Sequence, residues 1–73
     1  MKLENVIHNI QGKEVKVGDH IRTENMIKGF HKVFSISQDS SAEHILIVVV
    51  DLGNLLLRLS IGKTEWVEFR KAI

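Results

Sequence analysis

Four histidines, His8, His20, His31 and His44, are the side chains in this 73-residue chain best suited to holding a metal. Zinc sites normally include at least one close pair of ligands on a shared element, with a supporting second layer of hydrogen bonds. These four are widely and evenly spaced, and there is no cysteine to complete a thiolate set. They are expected at strand ends and in loops, with neither a metal nor any other cofactor. Ser35, Ser37, Asp19, Asp39 and Asp51 supply hydroxyls and carboxylates, yet no serine has the flanking glycines of a nucleophile elbow. Asp51 falls at a turn, where aspartate serves the backbone. The five glycines stand singly, so no phosphate-cradling loop is expected. So short a chain rarely houses a substrate-sized cleft. The expectation is a non-enzyme without a small-molecule substrate.

Binding chemistry is better represented. Lys28-Gly29-Phe30-His31-Lys32, with Arg22 close by if two strands pair, sets basic groups around an aromatic ring. Small barrels use that arrangement to stack a base and hold phosphates. Lys63, Arg70 and Lys71 would extend it. In the competing reading Phe30 belongs to the core and the lysines line a solvated edge. Ten basic against nine acidic residues leave a net charge of +1, which counts against a strongly basic nucleic-acid binder. A second candidate surface is apolar: Trp66, Leu56, Leu46 and Val48, with Arg58 beside them. Exposed tryptophan is typical of protein-binding hot spots. Its partner would be another protein or a second copy of this chain.

These residues must be positioned by the stretch from His44 to Ile61, the densest apolar run in the chain. It reads as strands over 45–50 and 55–61, joined by Asp51-Leu52-Gly53-Asn54. Glycine and asparagine there tolerate the backbone angles of a tight turn. Residues 45–50 are apolar on both faces, whereas a half-exposed antiparallel strand should alternate. A second apolar face, built from alternate residues of 45–50 plus Leu56, therefore calls for cover by a terminal helix, a barrel wall, the N-terminal hairpin or another subunit. Three or four aliphatics on it represent about 1.5–3 kcal/mol each if removed from water.

Elsewhere the signals are shorter. Leu3, Val6, Ile7 and Ile10 have helical spacing, but a hairpin of strands over 4–10 and 13–17, turning at Gln11-Gly12, is preferred because a helix this short is marginal alone. A strand over 20–24 has Ile21 and Thr23 inward. After a loop over 25–29, a strand over 30–37 has Phe30, Phe34 and Ile36 on one face with Lys32, and Val33 on the other. Residues 38–43 are a polar loop, the most mobile segment expected, in which Ser40 and Glu43 have capping-box spacing. A last strand over 64–69 puts Val67 and Phe69 opposite Trp66, with a short C-terminal helix as the alternative. Residues 70–73 are expected to fray.

Residues 1–73 form one domain, expected to be all-β or β with a short terminal helix. Five to six short strands at regular spacing suggest a small SH3-like or OB-like barrel, or a strongly bent antiparallel sheet. Apolar residues at 44% and charged residues at 26% argue against disorder. The apolar run is too short and too interrupted to span a membrane, no secretory leader is legible, and a cytoplasmic setting is expected.

Overall fold

A computed structural model of the chain describes residues 2–23 and 28–73. It contains six strands: β1 (His8–Gln11), β2 (His20–Arg22), β3 (His31–Gln38), β4 (Ile45–Asp51), β5 (Leu56–Gly62) and β6 (Trp66–Arg70). They form one antiparallel sheet in the order β1-β6-β2-β3-β4-β5. The edge strands β1 and β5 do not pair, so the sheet is not a closed barrel. It bends strongly enough to bring their ends together. The Gly12 N–H donates to the Glu65 carbonyl and the Lys13 N–H to the Lys63 carbonyl, just beyond β5.

The core lies on the inner side of the bend. Val15, Ile21, Val33, Val48, Val50, Ile61 and Val67 are buried together, with Leu57, Leu59, Phe69 and Ile10 partly buried against them. The central hairpin forms as expected. Asp51 Oδ1 accepts the Gly53 N–H at 2.7 Å, and Gly53 takes the positive φ of 97° that an L side chain resists. Asn54 does not share that conformation, because every positive φ among the described residues belongs to glycine.

The second face of β4 consists of Ile45, Ile47 and Val49. Across the ladder, Ile47 lies between Ser37 and Ser60, and Val49 between Ser35 and Arg58. The outward apolar stripe is therefore one strand wide, and Ile47 is buried between its neighbours without joining the main core.

Several expectations fail for physical reasons. The N-terminal hairpin does not form: β1 pairs with β6, residues Gly12–Glu14 make a 3-10 turn, and Val15 is buried while Val17 is exposed. The Gln11 N–H donates to Glu14 Oε1 at 3.2 Å, which closes that turn. Residues 70–73 are pinned rather than frayed, since Leu3 bridges Ala72 and the Ile73 N–H donates to the Lys2 carbonyl. Residues 39–44 hold turns and no helical turn. Asp39 Oδ1 caps them by accepting from the Ser41 N–H and hydroxyl. The strand expected over 20–24 and the loop over 25–29 reach beyond the described residues at 24–27.

In β3 the expected grouping holds before the bulge and fails after it. Val33 is buried and Phe34 exposed on the side of Lys32, and the register shifts between Val33 and Ser35. One extra residue inverts the alternation there, so Ile36 leaves the face of Phe34 and turns inward with Val33, opposite Val48 and Val50.

Candidate interaction surface

The strand registers place Arg70, His20, Lys32, Asp51 and Leu56 in one row across β6, β2, β3, β4 and β5. Neighbours in such a row share a face, here the outward one. Beside the row, the β3 bulge turns Phe34 outward at 57% exposure. Val17, Lys32, Val33, Phe34 and Asp51 line a surface depression of about 340 Å3. The turn before β2 closes one side of it: the Gly18 N–H donates to the Val33 carbonyl, and the Val33 N–H donates to the Asp19 carbonyl. With Leu56 exposed where β5 begins, this end of the outer surface carries three exposed apolar side chains: Val17, Phe34 and Leu56.

The residues expected on an apolar binding face do not gather there. Val48 is fully buried, and Leu46 is half-buried against the core. Both point inward opposite Leu59 and Ile61, so neither is available on the surface. Leu56 and Arg58 are exposed on the outer side of β5. Trp66 is exposed at 65%, but it sits at the far end of β6 from Arg70, opposite Gln11. Four residues along the strand and four strands across separate it from Leu56, a distance on the order of 20 Å. Phe34 was missed because a bulge leaves no mark in the alternation of apolar residues, and Val17 because the strand expected to put it on one face with Val15 does not form.

The basic-aromatic group is brought together only in part. The Arg22 guanidinium carbon lies 4.7 Å from the Phe30 ring centre and that of Arg70 lies 5.4 Å away. Phe30 is half-buried between cations rather than in the core. Arg22 Nε donates to Glu68 Oε1 at 2.8 Å, and Arg70 Nε donates to the Glu4 carbonyl. The Glu68 carboxylate holds the Arg22 pKa above its ordinary value, and Arg22 holds that of Glu68 below. Lys28 is exposed, and its carbonyl is 3.2 Å from His31 Nε2. His31 aligns with Ile21 on the inward side, so it faces away from Lys32.

Among the described residues, no three His, Asp or Glu side chains converge as metal ligands do. His8 faces Phe69, with ring centres 5.8 Å apart. His20 sits between Arg70 and Lys32, its Nδ1 buried without a hydrogen-bond partner among the described residues. Burial first, then the Lys32 charge, lowers its pKa, against an opposing effect of Asp19. No helix among the described residues is long and apolar enough to cross a membrane.

No protein-family model, no curated protein and no solved structure matches the chain.

Proposed function

We propose that this protein is a non-enzymatic binding module that engages a protein partner through the outer surface around Phe34. The observation that carries this reading is the bulge, which exposes a phenylalanine beside Val17 and above a depression flanked by Lys32 and Asp51. In a domain this small, an aromatic side chain held out in water forgoes about 1.5–3 kcal/mol of burial. Exposed apolar groups with a charged rim are characteristic of interaction sites. Leu56 borders this surface beside Asp51, with Arg58 further along the outer side of β5 and Trp66 as a separate second contact point. The test is quantitative cross-linking mass spectrometry in cells that express the wild-type chain or Phe34→Ser. A protein cross-linked near Lys32 in the wild type and lost in the variant supports the reading. Identical cross-links in both would remove Phe34 from the binding site.

A nucleic-acid reading also keeps one supporting observation. Arg22 and Arg70 flank Phe30, and Lys32 lies in the same outward row as Arg70. Against it, guanidinium groups already lie over the ring, and Arg22 is engaged by Glu68. Anisotropy of labelled single strands at two salt concentrations decides it, because phosphate contacts weaken steeply with salt. Unchanged affinity in a Lys28→Glu, Lys32→Glu variant would end that reading.

A further inference from the structure

The ladder between β4 and β5 fixes which backbone groups of β5 are spoken for. The Lys63 N–H donates to the His44 carbonyl and the Leu52 N–H to the Leu55 carbonyl. Both pairs lie on the register that aligns Ile45 with Gly62 and Asp51 with Leu56. Bonded pairs alternate along an antiparallel ladder, so Leu57, Leu59 and Ile61 bond to β4. The N–H and C=O groups of Leu56, Arg58, Ser60 and Gly62 then point to the other side. Gly62 confirms the parity, since its N–H donates to Glu65 Oε1 and its carbonyl accepts the Glu65 N–H. Among the described residues, no cross-strand partner covers Leu56, Arg58 or Ser60, because β5 ends the sheet.

Sheet edges are usually protected by prolines, bulges or several charges. This one has a single charge, Arg58, within a regular seven-residue strand that starts with the exposed Leu56 and follows the exposed Leu55. The other edge is unlike it: β1 has four residues, and the Gln11 N–H is already taken by Glu14.

We propose that the free edge of β5 pairs antiparallel with β5 of a second copy of this chain, about a two-fold axis beside Leu57. Pairing at this edge goes beyond the Phe34 surface and stands or falls independently of it. Free groups at even positions allow only registers that bond even residues to even residues. The register that centres on Arg58 opposes two like charges and is disfavoured. Shifted by one residue, Leu57 faces the partner's Leu57, Leu55 faces the partner's Leu59, and Leu56 faces the partner's Arg58. That alignment covers both exposed leucines and lays each arginine stem along an apolar side chain. A shift the other way sets Leu56 against Gly62, whose N–H and carbonyl already bond to Glu65.

Sedimentation velocity from about 10 μM to about 1 mM reads the association. The wild type is expected to pass from monomer to dimer across that range. Arg58→Pro removes an N–H that points away from β4, so the fold survives, checked by circular dichroism, while the dimer is lost. Leu56→Glu is expected to tighten the dimer roughly tenfold and Leu56→Lys to weaken it by a similar factor, since each faces the partner's Arg58. These two variants read the register even if the proline variant fails to fold. A wild type that stays monomeric throughout overturns the proposal and leaves the cross-links around Phe34 to be judged separately. A dimer indifferent to both Leu56 substitutions overturns it as well.

Discussion

Gly12 stands so close to Gly62 that a Cβ at position 12 would lie 2.2 Å from the Gly62 carbonyl oxygen and 2.8 Å from Ile61 Cγ2. This is where the bend of the sheet brings the two edge strands together, and only hydrogen fits between the backbones. Gly12→Ala must therefore push the edges apart. The expected cost is about 2–3 kcal/mol, a large part of the stability of so small a domain. Urea unfolding checks it, with Gly62→Ala as the control. A Cβ at Gly62 would meet nothing nearer than Glu65 Cβ at 3.4 Å, so the control should lose far less. Equal losses would mean that the contact does not hold the bend.

Two adjacent residues in β3 should respond in opposite ways. Val33 is fully buried opposite Val50, so Val33→Ala is expected to cost about 2 kcal/mol through lost burial and the cavity left behind. Phe34→Ser changes an exposed side chain and should leave stability within about 0.5 kcal/mol. Thermal unfolding of both variants checks this, and the reverse ranking would place the bulge elsewhere.

That pair also marks how far the sequence could be read. β4, β5 and the inward positions of Val67 and Phe69 follow from apolar runs and turn residues, because those segments have regular alternation and local turns. The facing of β3 does not follow, since Phe34 and Ile36 have the spacing of an uninterrupted strand and the bulge is set by pairing with β4. The pairing of β1 with β6 joins residues nearly sixty positions apart, and no local spacing encodes it. For the same reason Leu56 was legible as an outward residue, whereas its distance from Trp66 depends on the whole strand order.

Gln38 ties down the longest polar connection. Its Nε2 lies 3.0–3.3 Å from the carbonyl oxygens of Asp39, Ala42, Glu43 and Ile45. One carboxamide thus gathers the carbonyls of residues 39–45 around two donor hydrogens. Replacing it by Gln38→Leu should speed hydrogen exchange at the Asp39 and Ile45 amides, which donate to Ile45 and Ala42. Exchange at Val48 and Val50 should stay unchanged. If the two loop amides exchange at wild-type rates, the side chain does not organise the loop.

His20 gives stability a defined pH dependence. Burial of the ring and the Lys32 charge beside it disfavour the imidazolium, while Asp19 favours it. Arg70 flanks it from β6, Arg22 lies on its own strand, and Glu68 is engaged by Arg22. With the folded pKa below the ordinary 6.5, the unfolded chain takes up a proton first as the pH falls. The contribution is complete above that ordinary value and is lost as the pH drops through the lowered folded one. Below both it no longer changes. Glu68 and Asp39, whose pKa values are also lowered, lose their contributions only in the more acidic carboxylate range. Urea midpoints measured between about pH 8 and about pH 5 should fall more for the wild type than for His20→Gln. Lys32→Met should shrink the drop by removing the neighbouring cation. Parallel curves for wild type and His20→Gln would show that His20 titrates alike in the folded and unfolded chains.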